Sequence, residues 1–278
     1  MVTQKSKLII ESFNQMGYHA AGIGDDDLAL GKEFVLEISK KANFPLLSSN
    51  LMDGGSGKLL FQPYVIREIN GLRIGIFSLL GPEAFLGESD IRRKGLTIRT
   101  PVEVAQTMVK ELQPRSDLII LLSHLGYQKD MELAQTVQGI HFIVGGHTGM
   151  NLSYPPLIRN TLILQTSPKG MYAGRLNLLL HNQEPVFYNS ATRQSLERNL
   201  ASLKSQLSSP ATPEAGKAQL RKAQELAERN LRQFQGKNEF TNVILPLTDQ
   251  TKEDPDIQKM IEAYHLKFPD PAKQVPHK

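Results

Sequence analysis

Two apolar runs that each end in a histidine beside small residues constrain the fold of this chain most. Residues 117–122 (Asp-Leu-Ile-Ile-Leu-Leu) lead into residues 123–126 (Ser-His-Leu-Gly), and residues 140–144 (Ile-His-Phe-Ile-Val) lead into residues 145–149 (Gly-Gly-His-Thr-Gly). A short apolar run between turn signals is typical of a buried strand, and residues 129–138 have helical spacing. The sequence therefore predicts a strand, a helix and a strand, joined as a parallel pair by a right-handed crossover.

This arrangement places His124 and His147 at the carboxyl ends of neighbouring strands. Ligands bind at that edge of an open α/β sheet, and imidazole is a common ligand of transition metals. Adjacent glycines allow the backbone to approach a bound ion closely. We therefore predict a metal site that contains both histidines. The other five histidines lack this context and are predicted to be structural: His19, His141, His181, His265 and His277.

Three adjacent aspartates, Asp25, Asp26 and Asp27, follow a predicted strand at residues 19–23. Neighbouring carboxylates repel one another unless a cation or hydrogen-bond donors offset their charge. These aspartates are therefore interpreted as cation ligands, or as an acidic turn that caps the next helix, because Asp is a favourable N-cap residue. The two interpretations are compatible, and both stay open here.

The composition excludes several classes of protein. With 278 residues, of which 40% are hydrophobic and 22% charged, the chain has the balance of a globular protein of one or two domains. Its net charge of +4 is spread along the sequence and forms no dense basic stripe of the kind a nucleic-acid binder carries. The absence of cysteine excludes disulfides and thiolate ligands. No apolar run is long enough to span a membrane, and the first residues lack the apolar core of a signal peptide.

Other segments predict helices and short strands up to about residue 189, and hence an α/β layer structure. Apolar runs on either side of Asn70 and Gly71 predict a β-hairpin with a type I′ turn. Pro101 begins a predicted helix that Thr100 is placed to cap. The remaining elements are helices at residues 6–16 and 32–41, and strands at residues 44–50, 157–159, 161–166 and 174–181.

A loop at residues 81–95 contains three consecutive basic residues, Arg92, Arg93 and Lys94. A cluster of this kind attracts phosphate when it flanks an active site. The same composition is also typical of a solvated loop. The sequence does not choose between the two.

Residues 190–236 differ from the rest of the chain, because Lys, Arg, Glu and Gln dominate and leucines recur at helical intervals. Residues 208–213 (Ser-Ser-Pro-Ala-Thr-Pro) interrupt the segment, which predicts a helical hairpin, either coiled and docked on a protein partner or mobile without one. The predicted domains are thus an α/β domain at 1–189, a charged helical hairpin at 190–236, and a tail at 237–278 with one strand and one helix.

The motifs, in this order, resemble the metallophosphoesterase superfamily, in its 5′-nucleotidase and UDP-sugar hydrolase branch. The matching segments are residues 17–20 (Gly-Tyr-His-Ala), 24–27 (Gly-Asp-Asp-Asp), 44–50 (Phe-Pro-Leu-Leu-Ser-Ser-Asn), 123–126 and 145–147. The resemblance covers roughly residues 6–181. It implies the four-layer α/β sandwich of that superfamily, incomplete at its N-terminus and followed by the helical hairpin.

The resemblance also implies a metal-dependent phosphoester hydrolase. His124 and His147 match ligands of the family's second metal ion, and Asp25 stands where the family has an asparagine ligand. A carboxylate oxygen can replace an amide oxygen on a hard or borderline cation. Asp26 takes the place of the catalytic histidine and is the candidate catalytic residue. The implied cofactor is a divalent metal (Zn, Mn, Mg or Ca), and the implied ligand is a phosphorylated small molecule such as a nucleotide.

Several departures from the family pattern predict impaired or incomplete catalysis. An aspartate at position 26 cannot supply the positive charge of a histidine, and Gly149 replaces a histidine ligand of the first metal. The Asp-x-His and Gly-Asp motifs of the family's opening strands are absent, so that the chain is expected to begin after them and to hold one ion instead of two.

Three functions are consistent with the sequence. The first is a 5′-nucleotidase-type hydrolase of nucleotide breakdown, the second a non-catalytic descendant that binds phosphate or metal, and the third an interaction protein that uses the helical hairpin. The resemblance implies a periplasmic or secreted protein, whereas the missing signal peptide favours the cytoplasm.

Overall fold

A computed structural model describes residues 2–269 of the chain. The predictions that concern residues 270–278, including the structural role of His277, lie outside this range. Two compact units are present, one formed by Met1–Ala173 with Pro246–Lys278 and the other by Gly174–Leu245. These units do not coincide with the predicted domains, whose boundaries lie at residues 189 and 236. The three-domain division stays a prediction.

The elements are as follows in chain order. The first unit begins with α1 (Val2–Gln15), β1 (Ala21–Gly22), α2 (Lys32–Ser39), β2 (Leu46–Leu47), β3 (Leu51–Asp53), β4 (Tyr64–Ile69), β5 (Leu72–Leu80), β6 (Leu96–Ile98), α3 (Pro101–Leu112), β7 (Leu118–His124), α4 (Tyr127–Thr136), β8 (Phe142–Gly145), β9 (Leu157–Ile158) and β10 (Thr161–Leu164). There follow β11 (Tyr172–Leu179), β12 (Phe187–Asn189), α5 (Ser190–Ser208), α6 (Glu214–Arg232), β13 (Asn238–Pro246) and α7 (Pro255–Lys267).

A six-stranded sheet with the order β4-β5-β7-β8-β10-β9 organises the first unit. The four inner strands run parallel, and β4 and β9 are antiparallel edge strands. The predicted strand, helix and strand are confirmed as β7, α4 and β8, with Ser123 opposite Gly145. The predicted hairpin is confirmed as well, because Asn70 and Gly71 have φ values of 52° and 78°, and a type I′ turn needs positive φ at both positions.

Alternate residues of β5 point into two separate hydrophobic cores. Phe77 and Leu79 belong to the core beneath α3 and α4, whereas Leu80 belongs to the core on the opposite face, which also contains Ile10 of α1. The small parallel sheet of β1 and β2 lies against this second face. Helix, sheet, sheet and helix make the four-layer α/β sandwich that the resemblance implies.

Gly22 of β1 allows the two sheets to approach each other closely. A Cβ atom at this position would lie 2.5 Å from Oγ of Ser78 and 3.3 Å from Cβ of Leu122. The absence of a side chain therefore lets the backbone of β1 lie directly on the six-stranded sheet. It also brings the segment after β1 towards the carboxyl end of β7.

Some predicted boundaries are wrong for identifiable reasons. The strands predicted at residues 19–23 and 44–50 shorten to two residues each. Ser48 and Ser49 cause part of this, because their amides donate to the carbonyls of Gln62 and Ser78 and not to β1. Thr100 occupies the N-cap position of α3, yet its side chain makes no capping hydrogen bond.

The second unit contains a three-stranded sheet with the order β11-β13-β12 and the predicted helical hairpin. The helices α5 and α6 pack together, with Leu203 and Ala227 buried. Leu226 is 58% exposed, although the leucine spacing places it on the apolar stripe. Two helical turns take about seven residues, so the residue on the same face as Leu220 is Ala227 and not Leu226. A coiled coil and a docked partner both stay predictions.

Within residues 2–269, no helix is long and apolar enough to cross a lipid bilayer.

The central strand β7 supports a stability prediction. Leu121 is fully buried in the core beneath α3 and α4, so Leu121→Ala is expected to lower the free energy of unfolding by about 2–5 kcal/mol. Leu86 is 88% exposed, and Leu86→Ala serves as the matched control, with an expected change within about 0.5 kcal/mol. Urea denaturation measures both, and equal effects would contradict the assigned core.

Candidate metal centre

A short 3₁₀ turn at Asp26–Leu28 directs the three aspartates to different places. Leu28 is fully buried and anchors the turn, while the amide of Gly24 donates a 2.8 Å hydrogen bond to Oδ2 of Asp27. Asp25 consequently points inward and is only 8% exposed. The turn does not cap the next helix, because Gly31 is the N-cap of α2, and the capping interpretation is therefore wrong.

His124 is the last residue of β7 and lies next to Asp25. Its Nε2 is 2.8 Å from Oδ1 of Asp25. Two glycines leave room for the imidazole, because a Cβ atom at Gly24 would lie 2.9 Å from Cε1 and one at Gly146 would lie 3.3 Å from Nδ1 of His124. The imidazole of His124 therefore packs closely against the backbone of Gly24 and Gly146.

His147 reaches the same place from the end of β8. Its backbone has a φ of 67°, a left-handed conformation that few residues other than glycine adopt. The centres of the His124 and His147 rings are 5.1 Å apart. One ligand atom from each of Asp25, His124 and His147 lies within 4.8 Å of the other two.

Hydrogen bonds hold the loop that carries His147 beside β7. The amide of Gly146 donates to the carbonyl of Ser123 at 2.7 Å. From the opposite side, Nε2 of Gln165 donates to the carbonyl of Gly146 at 2.9 Å and to Oγ1 of Thr148 at 3.3 Å. Both histidines thus sit on backbone that is fixed to the same pair of strands.

Arg92 supplies the main positive charge near the acidic turn. Its Nη1 bonds to Oδ2 of Asp25 and, at 2.9 Å, to Oδ1 of Asp26. Its Nε and Nη2 bond to Asp90, with a shortest distance of 2.7 Å. The guanidinium also lies 5.5 Å from the ring centre of Phe85, and the side chain is 17% exposed. Arg92 is therefore a structured part of this centre, and the solvated-loop interpretation is wrong for this residue.

The charge state of Asp25 follows from these neighbours. Burial alone would raise the pKa of its carboxyl, but the hydrogen bond with His124 and the nearby charges of His124 and Arg92 hold this pKa below its usual value. Asp25 is therefore ionised at neutral pH. An ionised carboxylate and two imidazoles form a donor set that suits Zn²⁺ and related divalent cations.

The spacing of the three side chains fits a single ion. Ligands about 2.1 Å from a zinc ion are at most about 4.2 Å from each other. The three ligand atoms here are no more than 4.8 Å apart, so a few tenths of an ångström of adjustment at each side chain suffices. The side chain of His147 is exposed to solvent.

The structure brings three of the four predicted site residues together, namely Asp25, His124 and His147. The fourth, Asp26, does not join them. Asp26 is next to Asp25 but its side chain is 95% exposed and accepts a hydrogen bond from Arg92. An ionised carboxylate accepts hydrogen bonds and has no proton to donate. In this position Asp26 does not reproduce the charge or the donor capacity of a histidine.

Sequence reasoning missed the roles of Asp90 and Arg92. The basic cluster was recognised, but not its pairing with Asp25, which is 67 residues away in the chain. The only local signal was the Asp-x-Arg spacing, in which Asp90 accepts from the amide of Arg92 at 3.0 Å and from its guanidinium. That spacing is common in surface turns and does not identify a site by itself.

A buried carboxyl group lies behind the two histidine-bearing strands. Asp130 of α4 is fully buried, and its Oδ1 accepts a hydrogen bond from Oγ of Ser123. Among the described residues, its Oδ2 has no hydrogen-bond partner, and the same holds for the buried Oε1 of Gln165. Burial raises the pKa of Asp130 to about 7, although the Ser123 hydrogen bond opposes this change. Asp130 is therefore largely protonated below neutral pH.

Comparisons with known proteins find similar chains among nucleotidases and phosphoesterases. The chain is similar to a 5′-nucleotidase of Vibrio cholerae, with 28% identity over 219 residues that cover 64% of this chain and 38% of the relative. Among solved structures it is similar to a 5′-nucleotidase precursor of Thermus thermophilus (TM-score 0.66, 22% identity, 95% of this chain and 46% of the other). It is also similar to the calcineurin-like phosphoesterase YfkN of Bacillus subtilis (TM-score 0.62, 17% identity, 94% and 73%).

The chain thus has relatives among 5′-nucleotidases, and its fold is that of solved 5′-nucleotidase and calcineurin-like phosphoesterase structures. No protein-family model matches it. The resemblance seen in the sequence and the predicted fold class are thus confirmed. The matched part of the chain spans about two fifths of the V. cholerae relative, or 38% of its length.

Gly24 provides a test of the packing around His124. Gly24→Ala is expected to lower the free energy of unfolding by about 1–3 kcal/mol, because the new Cβ atom would lie 2.9 Å from the imidazole and force it to move. Gly55→Ala is the matched control, since a Cβ atom there would lie 3.6 Å from the nearest atom. Thermal or urea denaturation measures both variants, and equal stability would refute the close contact.

Asp130 makes stability depend on pH. An unfolded Asp loses its proton near pH 4, whereas the native protein retains it up to about pH 7. Between these values the unfolded state binds fewer protons, so the free energy of unfolding falls as pH rises, by at most about 1.4 kcal/mol per pH unit from this group. Asp130→Asn should remove this contribution.

Urea denaturation at several pH values between about 4.5 and 7.5, the window between the two pKa values, measures the effect. Asp117→Asn is the control, because Arg73 lowers the pKa of Asp117 through hydrogen bonds, and its contribution changes only at lower pH. An identical pH dependence of stability in native protein and Asp130→Asn would contradict the raised pKa.

Proposed function

We propose that the chain is a metal-dependent phosphoester hydrolase of the 5′-nucleotidase type that uses one divalent cation. The convergence of Asp25, His124 and His147 within 4.8 Å at the carboxyl ends of β7 and β8 is the observation that carries this proposal. The similarity to 5′-nucleotidases supports the same class of chemistry. The proposed substrate is a small phosphoester such as a nucleoside monophosphate, and the proposed role is nucleotide breakdown.

Each residue of the centre has a proposed task. A bound divalent cation would lower the pKa of a water molecule and polarise phosphoryl oxygens. Asp25 contributes an anionic oxygen, and His124 and His147 contribute neutral nitrogens. The hydrogen bond between Nε2 of His124 and Oδ1 of Asp25 would have to break if both atoms bound a metal. Metal ligands have to be deprotonated, so metal binding is expected to weaken as pH falls.

Turnover is proposed to be slow in the chain alone. Asp26, the candidate catalytic residue, is exposed, accepts a hydrogen bond from Arg92 and does not supply the positive charge of a histidine. A well-placed general acid typically contributes about 10²–10⁴-fold to a rate. A location outside the cytoplasm, implied by the resemblance, stays a prediction.

A second candidate function is a metal- or phosphate-binding protein without catalysis. The observation that favours it is the Arg92 guanidinium, which pairs with both Asp25 and Asp26 and so neutralises part of the acidic turn. The two candidates differ in one measurable property, which is hydrolysis by the metal-loaded chain.

Metal content and hydrolysis together test the proposal. The purified chain, dialysed against Zn²⁺ or Mn²⁺, is expected to retain about one ion per chain and to hydrolyse a nucleoside 5′-monophosphate slowly. His147→Ala should lower both metal content and rate, because it removes one of three ligands. His181→Ala, which changes an exposed histidine in the other unit, is the control and should alter neither.

Stoichiometric metal without hydrolysis would select the binding protein, and a chain that retains no metal would refute the metal centre. If the variant Asp25→Ala retained its full metal content, Asp25 would not be a ligand of the metal centre.

A further inference from the structure

Two neighbours of position 25, His124 and Arg92, explain why this residue is an aspartate and not an asparagine. The inference drawn from them rests on the proposed metal centre. Each oxygen of this carboxylate has a different partner. Oδ1 faces Nε2 of His124 at 2.8 Å, and Oδ2 accepts from Nη1 of Arg92. Asp25 therefore has to present an acceptor in two opposite directions.

An amide cannot meet this demand. Asparagine has one oxygen that accepts hydrogen bonds and one NH₂ group that only donates. The guanidinium of Arg92 only donates, so beside it an asparagine would turn its oxygen towards Arg92. Its NH₂ group would then face His124 and any cation bound there, and that group cannot coordinate a metal.

Arg92 is held firmly enough to impose this orientation. Of its five N–H groups, Nε and Nη2 donate to Asp90, and Nη1 donates to Asp25 and Asp26. Asp90 is itself fixed by the amides of Leu86 and Arg92, at 2.9 and 3.0 Å. The arginine has little donor capacity left for a substrate, so its function is exerted on Asp25.

We infer that Arg92 is a positioning residue that makes a carboxylate obligatory at position 25 and turns Oδ1 towards the metal centre. The ion pair also compensates the charge, since a carboxylate with a guanidinium carries the same net charge as a neutral amide. Position 25 and position 92 then form one functional unit. Outer-shell partners of this kind typically change metal affinity by about 10–100-fold.

A double-mutant cycle on the full chain tests this inference. The variants are Asp25→Asn, Arg92→Gln and their combination, and the measurement is the affinity for Zn²⁺ and for Mn²⁺ by isothermal titration calorimetry. Asp25→Asn is expected to weaken binding by about 10–100-fold, because Arg92 captures the amide oxygen and the metal loses its anionic ligand. Adding Arg92→Gln should restore affinity to within about threefold of the native protein, because the amide oxygen is released to face the metal.

The exposed pair of Arg73 and Asp117 provides the matched control. It has the same chemistry, with Nη2 of Arg73 2.7 Å from Oδ1 of Asp117, and it lies at the opposite end of β7. Asp117→Asn and its combination with Arg73→Gln should leave metal affinity unchanged. Arg92→Met removes every hydrogen-bond donor of the side chain while keeping an unbranched apolar chain, and it replaces Arg92→Gln if that variant does not fold.

The outcomes are distinguishable. Restored binding in the double variant supports the positioning role of Arg92. Metal binding by the native chain without restoration in the double variant, or native affinity in Asp25→Asn alone, overturns that role and leaves the metal centre standing. A native chain that binds neither ion overturns the metal centre and the role of Arg92 together.

Discussion

The parallel pairing of β7 with β8 is the constraint on which the rest of the structure depends. Ser123 lies opposite Gly145, so the residues that follow each strand leave the sheet side by side. The amide of Gly146 then bonds to the carbonyl of Ser123 and closes the gap between the two loops. Two histidines that are 23 positions apart in sequence are thus brought together by the backbone that carries them.

Sequence patterns predicted these parts because they depend on local chemistry. Apolar runs and adjacent glycines are sufficient to place His124 and His147 at strand ends, and Asn70 with Gly71 is sufficient for a type I′ hairpin. The short strands β1 and β2 were overestimated because tertiary hydrogen bonds decide where they end. The carbonyl of His19, for example, accepts from the side chain of Arg67 at 3.2 Å instead of extending β1.

The pairing of Arg92 with Asp25 was beyond sequence reasoning for a similar reason. Nothing near either residue indicates the other, and the loop between β5 and β6 has no periodic pattern. Its path depends on contacts made after folding, such as the packing of Phe85 in the core that also contains Leu28. In such a loop, residue types indicate that charged groups are present, but only the folded chain determines which of them meet.

The left-handed backbone of His147 lowers the stability of the folded chain in exchange for placing an imidazole at this position. A non-glycine residue in that conformation costs about 1–2 kcal/mol relative to an ordinary helical or extended one. A glycine would relieve the cost and make the loop more stable, but it would leave His124 and Asp25 without the second imidazole ring beside them. The chain therefore retains a local conformational penalty at the residue that faces solvent, which is where an incoming ligand would first make contact.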